Sequence, residues 1–453
     1  MISIPKFILS GSIAAALLIP LLPASAAVVP AFTFLGVAAG DASDTGSTVW
    51  TRGVDANAPA NTSVDLHVST DPGFSSYSTL TVSTDSTKDY TAKLDLTALT
   101  PATVYYYRFV EPVSAATSIV GKFKTAPSAS TPASVHFAFS GDNDDLMRPY
   151  ALASVIPSQN LDFYINLGDV IYENASNLTT SGAHNGAAWL NSPSVTLSNS
   201  ALSLNGVPVA GTSFATQAQL FADYSKKYRE NFLPVNAGGQ NCLQDLYAAL
   251  GNYTTWDNHE LGNRKYIDGG APAGGSVGGP AGNAMPTGRG VDARNNGSGN
   301  VGNVNDVNNS ATDFMNRSTG FLTLEQVFLN YQPIANRGTI TAPLDPRTDG
   351  TRQLYSAQQW GRNAIYINTD SRSYRDLRLK TANGGADETT APRANNPART
   401  YLGATHLAWL EQTLLNAHNA GTPWKFVSVS DPIDQLGPIG RPTRGRAHTP
   451  ASP

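Results

Sequence analysis

Cysteine is nearly absent: Cys242 is the only one in 453 residues. A lone thiol forms no internal disulfide, and it rules out a thiolate metal cluster. Any metal must therefore be held by Asp, Asn, Tyr, His or Glu. A large excess of either charge is missing too. The formal net charge is −4, with no basic tail or stripe for nucleic acid and no acidic tail. Long apolar runs are confined to the N-terminus, so no membrane span is predicted after residue 27. Residues 1–27 themselves read as a secretory signal. Lys6 gives a weak positive region, Phe7 to Leu22 is apolar and broken by Pro20, and Ala24-Ser25-Ala26 is a small-residue cleavage site. No Arg-Arg pair precedes the apolar run, so export by the twin-arginine route is not expected. The expected location is periplasmic or extracellular.

The length suits two or three domains. Residues 28–127 read as a small all-β sandwich of the fibronectin or immunoglobulin kind. Ser63-Val-Asp-Leu-His-Val68 and Tyr90-Thr-Ala-Lys-Leu-Asp-Leu96 alternate apolar with polar residues. Leu99 to Phe109 has the form of a tyrosine corner entering a strand. Residues 128–133 are a Ser/Thr/Pro/Ala linker. Residues 134–434 have an α/β texture, interrupted by a low-complexity stretch at 268–312 rich in Gly, Asn, Ala and Pro. That stretch is read as a surface loop. Helices are predicted over Phe214 to Phe232 and Thr405 to Ala417, the latter flanked by His406 and His418 as surface residues. Asp245 to Asn252 reads as a short apolar segment.

Chemistry concentrates where apolar runs end. Phe163, Tyr164, Ile165 and Leu167 form a strand, Gly168 breaks it, and Asp169 follows. Tyr172 lies three residues on, and one helical turn would bring it to the same side. Other apolar strands end in Gly141-Asp142-Asn143, Asp257-Asn258-His259, Asp370-Ser371-Arg372 and Ser430-Asp431. Ligands of open α/β sheets collect at such carboxyl ends. The donors suit two-metal phosphoester hydrolysis, in which cations about 3.5–4 Å apart clamp the attacking and leaving oxygens. Asp169 is the natural bridge, because a carboxylate has two oxygens. Asp142 is a terminal ligand of the first metal, joined by Tyr172 if that metal is ferric. Asn258 offers a carbonyl oxygen to the second. His259 stabilises phosphoryl oxygens or protonates the leaving group. Asp257 is either a further ligand or an orienter of its loop. Arg372 and Arg375 are assigned to phosphate oxygens, which Arg matches bidentately; the competing role is a structural ion pair.

These motifs also carry a resemblance. Gly141-Asp142, Gly168-Asp169-x-x-Tyr172 and Asn258-His259-Glu260 resemble the first three blocks of the calcineurin-like metallophosphoesterases. Adding Gly36 to Asp41, Val49 to Arg52, Trp256 to Glu260, Asp370 to Arg375, and Leu402-Gly403 through Trp409-Leu410 to Trp424-Lys425, the chain resembles the PhoD-like alkaline phosphatase/phosphodiesterase family. The resemblance implies a metallophosphoesterase-type β-sandwich flanked by helices after the N-terminal sandwich. It implies exported hydrolysis of small phosphomonoesters and phosphodiesters by a metal-bound hydroxide. It also implies a dinuclear centre of Fe3+ with Ca2+ or another divalent ion. A phospholipase D-like diesterase is the variant within that family. The family often has Cys at the position of Asp142 and a second Asp at that of Asn258. The pattern is followed to Asp434. Residues 435–453 are rich in Arg, Pro, Gly and Ala and resemble an out-of-frame tail. A truncated chain with half its metal shell is therefore expected, and a non-catalytic remnant is the rival reading.

Overall fold

Val64, Leu66 and Val68 alternate with Asp65 and His67, and a period of two puts the three apolar side chains on one face. In the computed structural model all three are buried on strand β3 (Ser63–Ser69). The structure describes residues 31–143, 150–172, 202–203, 207–208, 217–233, 242–261, 319–341, 350–374 and 400–431. The expected signal at 1–27, the 268–312 stretch, Arg375 and the 435–453 tail lie outside the described residues.

Strand β3 belongs to a four-stranded antiparallel sheet with β4 (Ser78–Ser83), β6 (Val104–Val110) and β7 (Gly121–Lys124), in the order β4-β3-β6-β7. It packs on β1 (Phe32–Gly40), β2 (Ser47–Asp55) and β5 (Thr91–Leu96) through Val37, Val49, Leu66, Tyr107 and Phe109. The tyrosine corner is present: the Thr100 N–H donates to Tyr105 Oη at 2.9 Å.

The second sheet of this sandwich does not end with it. Its order is β5-β2-β1-β12-β9-β8, where β8 is Phe137–Ser140, β9 is Phe163–Asn166 and β12 is Asn252–Thr254. Pairing is antiparallel from β5 to β1 and parallel from β1 to β8. The junction is narrow. Gly40 pairs with Asn252, and the Asp41 N–H donates to Asn252 O at 3.1 Å. A Cβ on Gly40 would stand 2.5 Å from Pro333 O and 2.8 Å from Asn252 O, so only glycine admits this approach. The 128–133 linker therefore separates two stretches of sequence but not two sheets.

Alternate residues of β9 face opposite layers. Phe163 and Ile165 pack with Tyr253 against Trp360, Ala364 and Tyr366. The last three belong to a three-stranded sheet of β13 (Ser356–Trp360), β14 (Ala364–Asn368) and β15 (Trp424–Ser428). Tyr164 faces the other way, into a core with α1 (Gln217–Glu230), α2 (Cys242–Ala249) and α3 (Thr319–Tyr331). Helix α4 (Ala404–Asn419) covers β14 through Leu410, Leu414 and Ala417 against Ile365 and Ile367. A two-residue ladder joins β10 (Leu202–Ser203) to β11 (Val207–Pro208).

The short apolar segment Asp245 to Asn252 is mostly the helix α2, because Leu243, Leu246, Tyr247 and Leu250 recur at helical spacing and all four are buried. One expectation is corrected. His406 is not at the surface. It is 1% exposed and stacks on Tyr355 with ring centroids 4.1 Å apart, because the face of α4 carrying it turns inward. Among the described residues, no helix is long and apolar enough to cross a membrane.

Candidate metal centre

Strands β8, β9 and β12 are parallel neighbours, so their C-terminal ends share one edge of the sheet. That edge brings together Asp142, Asp169 and Asp257. One carboxylate oxygen of each lies within 4.8 Å of the others. Asp169 and Asp257 are buried, and Asp142 is exposed.

Local backbone chemistry makes the turns. Asn166 Oδ1 accepts the Gly168 N–H at 3.0 Å, and Asn166 Nδ2 donates to Tyr247 Oη at 2.8 Å. This side chain closes a turn directly after the strand. Gly168 has φ of 99°, and Asp169 and Asp142 have φ of 52° and 57°. A Cβ on Gly168 would sit 2.6 Å from Asp257 N. The β8 turn is tied to the β9 turn by Asp142 N–H to Gly168 O at 3.2 Å and Asn143 N–H to Asp169 O at 2.8 Å.

Tyr172 reaches Asp169 without the expected helical turn: no helix forms over 168–172. The left-handed residues reverse the chain instead, and Tyr172 Oη donates to Asp169 Oδ2 at 3.4 Å. The Tyr172 ring stacks on His259 with centroids 3.9 Å apart. The His259 N–H donates to Asp169 Oδ1 at 2.8 Å. Asp142, Asp169, Tyr172 and His259 are thus gathered at one locus.

Asn258 and Arg372 form a second group beside it. Arg372 is 3% exposed. Its guanidinium pairs with Asp257, donates to Asp431 Oδ1 at 2.5 Å, and lies 3.4 Å from Asn258 Oδ1. Of the two roles weighed for Arg372, the ion pair is the one these contacts make.

Sequence reasoning missed three supporting residues. Glu260 is fully buried and accepts backbone N–H groups of Asp169, Val170 and Asp257. Asp370 Oδ1 accepts from Trp256 Nε1 at 2.9 Å and from the N–H groups of Arg372 and Ser373 at 2.9 and 3.0 Å. Asn166 is the third. Its signal was a strand-end Asn two residues before a Gly; Glu260 stands in the Asn258-His259-Glu260 block and Asp370 in the Asp370-Ser371-Arg372 cluster, but neither carries a role in the sequence reading.

Electrostatics favour a cation here. Burial raises the Asp169 carboxyl to about 9, with Glu260 and Asp257 adding to the rise. Burial also raises Asp257, opposed by Arg372. Carboxylates held this close repel one another when ionised, and a bound cation relieves that repulsion. Hard oxygen donors match a hard ion. The donor set therefore fits a hard metal ion.

Comparisons with known proteins cover both ends of the chain. A family profile described as PhoD-like phosphatase, N-terminal domain, matches residues 21–127, and one described as PhoD-like phosphatase matches residues 295–449. The second match runs past Asp434 into the tail. A search of curated proteins found no match. A solved structure described as "Structure of PhoD" matches with a TM-score of 0.59 and 21% identity, over 87% of this chain and 61% of that one. The chain thus spans about three-fifths of the length of that structure. Two shorter matches score too low to carry any argument. One is the sensor domain of the anti-sigma factor RsgI4 in Pseudobacteroides cellulosolvens, at 13% identity over 22% of this chain and 99% of that one, TM-score 0.19. The other is the sixth fibronectin type III domain of human fibronectin type III domain containing protein 3, at 25% identity over 22% and 88%, TM-score 0.17.

Proposed function

This chain belongs to the PhoD-like phosphatase family, and from that premise we propose that it is an exported, metal-dependent hydrolase of small phosphomonoesters and phosphodiesters. The observation that carries the metal dependence is the group Asp142, Asp169 and Asp257 at three adjacent strand ends. Asp142, Asp169 and Tyr172 would hold one metal, ferric by the sequence resemblance. Asp169 would be shared with a second, divalent ion that Asn258 or Asp257 helps to hold. Bound there, the pair would supply positive charge for the phosphoryl oxygens and lower the pKa of the attacking water.

The chain's own residues do the rest. His259 keeps its ring against Tyr172 and its backbone on Asp169. That fixes an imidazole at the rim of the carboxylate group, where it can hydrogen-bond a phosphoryl oxygen or pass a proton to the leaving group. Arg372 neutralises Asp257 and braces Asn258. The metallophosphoesterase-type sandwich, its flanking helices and the export signal at 1–27 belong to the same reading. Turnover of lipid phosphodiesters is the variant within it.

The test is hydrolysis of bis- and mono-nitrophenyl phosphate before and after dialysis against a chelator. Activity is expected to vanish and to return with Fe3+ plus a divalent ion. Full activity after complete metal removal would defeat the metal dependence. No turnover by the metal-loaded chain would leave the non-catalytic remnant as the surviving reading.

A further inference from the structure

We infer that Glu260 is a positioning residue whose carboxylate clasps the loops after β9 and β12 and thereby sets the spacing of Asp169 and Asp257. The inference rests on the metal-centre reading above. Glu260 Oε2 accepts the N–H of Asp169 at 3.0 Å and the N–H of Asp257 at 2.7 Å. Glu260 Oε1 accepts the N–H of Val170 at 2.5 Å. The side chain has no solvent exposure. One carboxylate, acceptor-only with about four lone-pair sites, can take all three donors. It therefore fixes, at a single point, two loops that are far apart in sequence and meet only at the sheet edge.

The clasp sits behind the ligand group, not in it. Glu260 is absent from the three carboxylates that share a metal-sized locus. Its oxygens face backbone donors, whereas Asp169 and Asp257 direct their side chains to the shared site. Gly168 explains why the clasp can be so short. A Cβ there would stand 2.6 Å from Asp257 N, so the bare backbones of the two loops are in contact. An amide in place of the carboxylate offers one acceptor oxygen and one N–H donor group. Glu260→Gln with its oxygen on Asp169 and Asp257 would therefore set its amide N–H against the Val170 N–H, and the clasp would loosen.

The experiment titrates Mn2+ into the full chain and reads free Mn2+ by electron paramagnetic resonance. Wild type, Glu260→Gln, Glu260→Asp and Val68→Ala are compared, the last being a core change in the N-terminal sheet away from the site. Glu260→Gln is expected to weaken Mn2+ binding about 10–100-fold, the usual cost of losing an outer partner of a metal site. It is also expected to lower kcat with little change in KM. Glu260→Asp keeps the charge but shortens the reach, and should fall in between. Val68→Ala should lower the unfolding temperature and leave Mn2+ affinity unchanged. Equal affinity in wild type and Glu260→Gln overturns this inference alone. No Mn2+ uptake by wild type overturns the metal-centre reading and this inference with it. If neither Glu260 variant folds, amide exchange of Asp169, Val170 and Asp257 in metal-free wild type decides: slow exchange supports the clasp, and free exchange overturns it.

Discussion

Gly168 shows how much rests on one absent methyl group. Its φ of 99° and the 2.6 Å approach to Asp257 N both forbid a Cβ. Gly168→Ala is expected to store about 1–3 kcal/mol of backbone strain and to push Asp257 from Asp169. Urea unfolding and metal content after reconstitution check this; a variant that retains both would remove Gly168 from the account. Arg372 makes a second case. It joins Asp257 and Asp431 with almost no exposure, so Arg372→Met leaves buried carboxylates uncompensated. A loss of about 3–5 kcal/mol is expected, and Lys should not restore it, because a point charge lacks the planar fork. If Arg372 served only to bind phosphate, Arg372→Met would raise KM and leave the unfolding midpoint where it was.

Helix α3 carries a titration that the sequence hides. Burial raises the Glu325 carboxyl to about 8, with Asp370 adding to the rise and Arg352 opposing it. In the unfolded chain it ionises near ~4.3. Between those values the folded protein keeps a proton that the unfolded chain has lost. The stability it contributes is full below the lower value and fades as pH rises to the upper one, by up to about 1.4 kcal/mol per pH unit. Glu325→Gln should flatten this slope between pH 5 and 8, and thermal melts across that range will reveal it; parallel profiles would exclude it. Elements defined by local pattern were legible in the sequence: β9 as an apolar run with Gly168 behind it, and α4 by the spacing of Leu407, Leu410 and Leu414. The ends holding Asp142, Asp169 and Asp257 were legible for the same reason. The roles of Glu260 and Asp370 were not, because both stand in recognisable motifs but the partners that define them, Asp169 and Val170 for one and Trp256 for the other, lie far away in sequence. His406 was misread because helical spacing marks a face, while the partner that buries it, Tyr355, lies elsewhere in the chain.

At the scale of the whole molecule, Asp89 is one of the ties between the N-terminal sandwich and the helical layer, beside Lys93 and Trp50. Its carboxylate accepts from Arg52 at 3.2 Å and also from Arg229 of α1 and Tyr331 of α3. Asp89→Ala should cost about 3–5 kcal/mol, since it strands two partly buried guanidinium groups. Denaturant unfolding followed by far-ultraviolet dichroism should then show a lowered midpoint. An unshifted midpoint would show that this tie is dispensable. Strand β1 was not legible as a junction, because its partner β12 is remote in sequence. That remoteness also dictates a timetable. Closing the Gly40–Asn252 pair spans about two hundred residues, a contact that comes late because its entropy is lost before any pairing compensates. The N-terminal sheet is thus a template formed before the strand it must receive, and β12 docks on it only at the Gly40 end.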